Sequence, residues 1–523
     1  MRSWGRQLIG IVAVAGLAGI DPGARGGEPA PPPNLVVILA DDLGYGDVSC
    51  YNPASKIRTP RIDELAAQGM RFTDAHSGSA VCTPTRYGLL TGRYAWRTRL
   101  ARGVLSGYSP HLIEPRRLTL ASMLRRNGYQ TAVVGKWHLG LDWVKSGSVA
   151  LGDDFVARVD LDPPVDYREK VANGPTALGF EESYILSASL DMPPYVFLRN
   201  DRCEVVPTAE RTYIRRGRAA PEFEAVDVLP ALEREAVAFL DRQARPQGQG
   251  PPRPFFLYLP LTAPHTPITP ATAYRKTSGI GDYGDFVVQV DATIGRVLDA
   301  LKRNHQDENT LVIVTSDNGC SPAAGWDDLL RQGHHPSGPF RGHKADIFEG
   351  GHRVPFVARW PGHVPPGTTC AHPICLTDLT ATAAALIGKP LPPEAGEDSI
   401  SILPDLLGQA TSPLREATVH HSINGSFAIR QGPWKLALTP DSGGWSAPRP
   451  GTPAARDPAL PAVQLYNLDD DPGERTNLQA QHPEIVSRLT AVLERYVAEG
   501  RSTPGPKQKN DRNIVIRQPR APR

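Results

Sequence analysis

Short apolar runs rich in branched side chains punctuate the chain, and each is followed at once by acidic, amide or basic residues. Residues 34–40, NLVVILA, stop at DDLGYGD. A run of this kind is the pattern of a strand buried on both faces of a parallel sheet, with polar groups delivered at its carboxyl end. The construction recurs at 311–314, where LVIV precedes TSDNG, and at 255–265, where FFLYLPLTAPH carries a histidine. A fourth run, YQTAVVGKWHLG at 129–140, delivers Lys136 and His138. Between these lie TPRIDELAAQGM, TLASMLRRNG and DFVVQVDATIGRVLDALKRN, whose apolar residues recur near helical spacing. The alternation predicts an α/β fold with a large mixed, mostly parallel sheet sandwiched by helices. Strands that end in acids and amides point to one shared site at the carboxyl ends of that sheet.

From about residue 143 to 250 the alternation breaks. LDPPVDYREKVANGPTALGFEESY and SASLDMPPYVFLRNDR are rich in turn residues and aromatics, which suits either loops covering the site or an ordinary surface insertion. RQARPQGQGPPRP at 242–254 reads as a flexible or extended link. Beyond HVPPGT, near 363–368, TDLTATAAALIG is a further helix. AIRQGPWKLAL and VQLYNLDDDPGERTNL read as two strand-like stretches able to pair in a small antiparallel sheet, followed by the helical HPEIVSRLTAVLERYVAEG. The expected organisation is a targeting segment over 1–25, a catalytic domain over 33–400, a smaller C-terminal α+β subdomain over 401–500, and a poorly ordered polar, basic tail over 501–523.

Composition narrows the class. A chain of 523 residues can bury large cores, and its 52 prolines and 49 glycines fit an enzyme with many long loops better than a helical bundle. Arg2 and Arg6 precede LIGIVAVAGLAGI, a run of thirteen apolar residues that is short for a membrane span and is followed by polar, flexible sequence. This reads as a cleaved signal peptide, so the protein is expected to be exported, periplasmic or secreted, with no stable membrane span after cleavage. Removing residues 1–25 takes away three arginines and one aspartate, and the formal charge falls from +2 to 0. Bulk charge therefore offers nothing to nucleic acid, and any anion recognition must be local. The six cysteines, Cys50, Cys82, Cys203, Cys320, Cys370 and Cys375, are too scattered for a zinc ribbon or finger. Cys370 and Cys375 are close enough for a small disulfide loop, and buried thiols fit them equally well.

The strand-end residues suggest specific chemistry. Asp41, Asp42, Asp317 and Asn318 are oxygen donors, a set suited to a hard divalent cation, Ca²⁺ or Mg²⁺, rather than zinc. Such a cation removes the mutual repulsion of the acids and can grip an anionic substrate. Arg86, Lys136, His138, His265 and Lys344 are available as anion ligands. Together they suit attack on a tetrahedral oxyanion ester with charge stabilised on its oxygens. The nucleophile remains open on these grounds: Cys82 in GSAVCTPTRYGLL is a buried thiol, half of a disulfide, a metal ligand or a nucleophile.

CTPTR at 82–86 resembles the CxPxR signature of the type I, formylglycine-dependent sulfatases, and the following YGLLTGRY is similar to that family's extended motif. Further matches run in order: PNLVVILADDLGYGD at 33–47, GKWHLG at 135–140, APHTP at 263–267, VIVTSDNG at 312–319, RGHKADIFEGGHRVPFVARWPG at 341–362 and LYNLDDDPGERTNL at 465–478. The resemblance implies an alkaline phosphatase-like fold and conversion of Cys82 to Cα-formylglycine by a formylglycine-generating or equivalent sulfatase-modifying enzyme. It assigns Asp41, Asp42, Asp317 and Asn318 to one calcium ion, preferred over magnesium, with modified Cys82 completing the metal environment. One hydroxyl of the hydrated aldehyde attacks sulfur and expels the alcohol, and the second collapses to the aldehyde as sulfate leaves. Arg86 and His138 hold the formylglycine hydroxyls, Lys136, Lys344 and His265 contact substrate, and His265 gives a proton to the leaving alcohol. Thr85 stands where serine is common and His343 where glycine is frequent; neither departure removes one of these groups.

The expected activity is release of inorganic sulfate from sulfate monoesters. The region around DMPPYVFLRN resembles bacterial arylsulfatases related to N-acetylgalactosamine-6-sulfatases, which points to a sulfated carbohydrate, with small aryl sulfates as surrogate substrates. The alternatives are a phosphatase or phosphonate monoester hydrolase of the same fold, and a sulfated-glycan binding protein that keeps the pocket without modifying Cys82.

Overall fold

Along the strand Asn34–Asp41, Leu35, Val37 and Leu39 enter one apolar core while Val36, Ile38 and Ala40 enter another. Successive strand side chains point to opposite faces, so a run that is apolar at every position requires cover on both. The computed structural model describes residues 32–146, 164–244 and 253–517, and in it this strand lies at the centre of a ten-stranded sheet. Phe255–Pro264 and Thr310–Ser316 flank it in parallel, and Gln130–Lys136 lies beyond the first of these, also parallel. The outer strands bring in antiparallel pairings, such as Phe356–Arg359 against Thr310–Ser316. The fold is therefore mixed α/β with a mostly parallel central sheet.

Helices cover both faces. Pro60–Ala67, Ala225–Gln243 and Asp282–Arg303 bury Ile62, Leu65, Leu229, Leu232, Phe286, Val290 and Ile294 in one core. Cys82–Thr91, Leu120–Arg126 and Leu379–Leu386 bury Leu89, Leu90, Leu124 and Leu379 in the other. Thr119 caps its helix by accepting a hydrogen bond from the Ser122 N–H, with Ser122 bonding back, which satisfies the free amides of the first turn.

Three expectations change. The broken region contains a nineteen-residue helix, Ala225–Gln243, and the main-sheet strand Glu182–Leu186. The apolar spacing Val228, Leu229, Leu232, Ala236, Phe239, Leu240 was present in the sequence but lies between the turn-rich segments that set the reading of the region; Pro230 falls in the first turns, where a proline is tolerated. AIRQGPWKLAL is a hairpin, Phe427–Gln431 and Trp434–Ala437, turning at Gly432. With Thr418–His421 and Gln464–Asn467 it makes a four-stranded antiparallel sheet, packed on Pro483–Glu499. Residues 501–517, polar enough to suggest a loose tail, follow a bonded course instead: Asp511 pairs with buried Arg93, and Asn510 accepts from Arg97. Cys370 and Cys375 are both free thiols. The targeting segment and residues 245–252 of the Pro-rich link lie outside the described residues, among which no helix is long and apolar enough to cross a membrane.

Candidate active site

Register brings the polar groups together. Ala40 stands opposite Ser316 and Asp41 opposite Pro264, so three adjacent parallel strands end level and release Asp41, Asp317 and His265 side by side. Gln130–Lys136 adds Lys136, and the helix Cys82–Thr91 starts at Cys82, which is 2% exposed. Ligand atoms of Asp41, Asp42, Cys82 and His265 all lie within 4.8 Å of one another. Arg86, Lys136, His138, Asp317, Asn318 and Lys344 are buried around them, so the metal, anion and catalytic candidates named from the sequence are gathered at one place.

Each carboxylate has a cation. Lys136 Nζ donates to both Asp41 oxygens at 2.9 and 2.8 Å. Lys344 Nζ lies 2.7 Å from Asp42 Oδ1. Arg86 donates through Nε and Nη2 to Asp317 Oδ2, at 3.1 and 2.7 Å, and through Nη1 to the Lys136 carbonyl. Burial opposes ionisation of Asp41, but Lys136, His265, Arg86 and Lys344 outweigh it and hold its carboxyl well below the usual range. Asp317 goes the other way, to about 6, because burial and the neighbouring Asp41 charge exceed what Arg86 and Lys136 return. The acid cluster thus has room for further positive charge. Asn318 Nδ2 donates to Asp42 Oδ1 at 2.7 Å, while its Oδ1 is buried with no partner. An orphaned carbonyl oxygen beside three buried carboxylates fits an oxygen-seeking divalent cation.

The two histidines differ sharply. Burial, with Lys136 and Arg86 nearby, depresses His138 well below its ordinary value, so it is neutral. Its Nε2–H donates to the Leu105 carbonyl at 2.7 Å, which leaves Nδ1 as an acceptor, 3.5 Å from Ser189 Oγ. His265 is also desolvated and repelled by Lys344, yet Asp42 and Asp41 raise it to about 9. Its Nδ1–H donates to the Thr266 carbonyl at 2.6 Å, and Nε2 lies 3.8 Å from Asp42. One site therefore holds a neutral and a protonated imidazole near pH 7.

Three non-glycine residues of the site have left-handed backbone. Asp42 and His138 have φ of 68° and 55°, and Ala345, beside Lys344, has 81°. Non-glycine residues enter this region at a cost, and local bonds hold them there. The Asp42 N–H donates to Asp317 Oδ1, and the Ala345 N–H donates to the Ala80 carbonyl, tying the Lys344 loop to the Cys82 loop. His343 is 8% exposed, with its Nδ1 3.0 Å from the Lys344 carbonyl and its ring edge-on to Trp326.

The supporting groups were missed in the sequence. Asp47 accepts from Tyr283 and His334, and Tyr283 also reaches the Asp42 carbonyl. His76, His352 and His420 cluster without exposure below the Ser77–Val81 loop. Single polar residues hundreds of positions apart leave no local pattern to read.

Comparison with known proteins covers the same ground. The Sulfatase family model matches residues 33–389. An N-acetylgalactosamine-6-O-sulfatase of Bacteroides thetaiotaomicron is 33% identical over 515 residues, spanning 90% of this chain and 94% of the relative. Human arylsulfatase A is 33% identical over 483 residues, spanning 89% and 88%. A solved sulfatase structure from work on glycosaminoglycan metabolism by Bacteroides thetaiotaomicron superposes with a TM-score of 0.75 at 31% identity, covering 89% of this chain and 99% of that one. The matched span holds every residue of the buried acid and base cluster, and on that ground the chain belongs to the sulfatase family and is a sulfuric ester hydrolase.

Proposed function

We propose that this hydrolase releases inorganic sulfate from sulfated carbohydrate, using formylglycine made from Cys82 by a modifying enzyme and one calcium ion held by Asp41, Asp42, Asp317 and Asn318. The observation that carries the reading is the convergence of Asp41, Asp42, Cys82 and His265 within 4.8 Å, beside an Asn318 oxygen with no partner. Bound there, calcium supplies compact positive charge against the sulfate oxygens. Hydrated formylglycine supplies the nucleophilic hydroxyl and an internal route for sulfate release, which a thiol lacks.

The chain's own groups set the geometry and move the protons. Arg86 and Lys344 place positive charge next to residue 82, close enough to interact with an anion there. Lys136 neutralises Asp41, and Arg86 fixes the orientation of Asp317. His138, locked by Leu105 with Nδ1 free of a proton, would hold and polarise a hydroxyl of modified residue 82. His265, protonated, gives its Nε2 proton to the departing alcohol. The burial of all these groups keeps competing water away and strengthens each electrostatic contact.

The name of the bacterial relative makes 6-O-sulfated N-acetylgalactosamine the first substrate to test. The proposal includes export, on the basic and apolar first 25 residues. The test is sulfate release from defined sulfated saccharides by protein whose formylglycine content has been measured by mass. Sulfate release that scales with formylglycine content supports the reading. Faster phosphate release from matched phosphate esters, or turnover with unmodified Cys82, overturns it.

A further inference from the structure

We propose that Cys370, His372 and Asp405 form a second metal site, suited to Zn²⁺, at the edge of the main sheet and separate from the Asp41 and Asp317 cluster. Cys370 ends the edge strand Thr368–Cys370, His372 follows in the next turn, and Asp405 lies in the short helix Leu403–Leu406. One ligand atom from each falls within 4.8 Å of the other two. His372 Nδ1 is 2.7 Å from Asp405 Oδ1, and Cys370 Sγ is 3.9 Å from the same oxygen. Tetrahedral zinc with sulfur, nitrogen and oxygen ligands needs these atoms about 3.3 to 3.6 Å apart. The sulfur-to-oxygen separation is close to that requirement, and the shorter His372–Asp405 contact opens as the ion enters between them.

Charge and access agree. A thiolate and a carboxylate together cancel the charge of a dication, and a neutral imidazole gives a mixed sulfur, nitrogen and oxygen set favoured by zinc over calcium or magnesium, with the fourth tetrahedral position left to water. His372 and Cys370 are only partly buried, which leaves a path for the ion, whereas Asp405 is buried. The Thr73 N–H donates to the Cys370 carbonyl at 2.9 Å, holding the sulfur-bearing residue in the sheet.

The buried trio His76, His352 and His420 is a different case. Asp74, Glu349 and Glu474 around it are already paired with Arg353, Arg430 and Lys435. Lys435 already donates to His352 Nε2 at 3.0 Å.

The test uses the full chain, stripped of metal and reloaded with calcium, then titrated with Zn²⁺ and with Co²⁺. Wild type should retain one zinc per chain that Cys370→Ser and His372→Ala each lose, with sulfate release by both variants unchanged. Cobalt should give a sulfur-to-metal charge-transfer absorption that Cys370→Ser abolishes. The proposal is overturned if zinc stoichiometry and affinity are the same in wild type and both variants. It is overturned equally if wild type binds no zinc, or if mass analysis finds a Cys370–Cys375 disulfide in the mature protein.

Discussion

Cys82 and His265 carry the two residue-scale predictions. Serine at position 82 is close in size to cysteine, so Cys82→Ser should leave the melting temperature within about 4 °C of wild type. Sulfate release should fall at least ~10³-fold, because the group that performs attack and release is gone. The check is turnover of a variant whose serine is verified by mass as unmodified; substantial activity would sink the assignment. His265→Ala should lower kcat about 10²- to 10⁴-fold for sugar sulfates, whose alcohols need a proton on departure. For aryl sulfates with acidic phenol leaving groups the loss should be much smaller, since those depart as anions. An equal loss on both substrates would show that His265 does not act as the proton donor. The contrast between His265 and His138 was outside the reach of sequence. Both read as one histidine after an apolar run, and only their neighbours, Asp42 for one and Lys136 for the other, set opposite protonation.

At the scale of elements, the C-terminal sheet does more than add mass. The Ala80 N–H and Ser79 Oγ donate to the carbonyl of His421, the last residue of the strand Thr418–His421, so this sheet braces the loop that leads into Cys82. Arg97 ties the segment after the Cys82 helix to the C-terminal part of the chain. Its Nε and Nη2 donate to the two oxygens of Asp398, both at 2.8 Å, and Nη1 donates to the Tyr496 carbonyl in the last helix. Both members of the pair are fully buried. Arg97→Ala strands the Asp398 charge in the interior, a loss of about 3–5 kcal/mol. The check is a lowered urea midpoint, with Asp398→Asn in the Arg97→Ala background recovering part of it; no shift would mean that the pair is dispensable. Periodicity made the strands at 34–41, 255–264 and 310–316 and the helices at 282–303 and 483–499 legible before any coordinates. It was not followed through 225–243, where turn-rich segments on either side set the reading, and it failed at 428–438, where Gly432 turns what reads as one strand into two.

For the molecule as a whole, the acid cluster links the proposed ion to stability. Three buried carboxylates and the free Asn318 oxygen gain from a divalent charge, so a chelator should lower both melting temperature and turnover, and calcium should restore them better than magnesium. At about 100 times its Kd a bound ion adds ~2.7 kcal/mol, and thermal melts across a calcium series should follow that dependence. Melts insensitive to chelator and calcium would remove calcium from the proposal. The chain on its own determined the four adjacent parallel strands at the middle of the central sheet and the inventory of reactive groups, because apolar period and motif spacing are local properties. Tertiary structure alone decided which groups meet. Lys136 pairs with Asp41 across 95 positions, and Lys344 with Asp42 across 302. Cys370 comes to lie against Asp405 in the same way. Burial and the sign of the nearest charge set protonation, metal preference and strain, and both depend on distances in space that no run of neighbouring residues encodes.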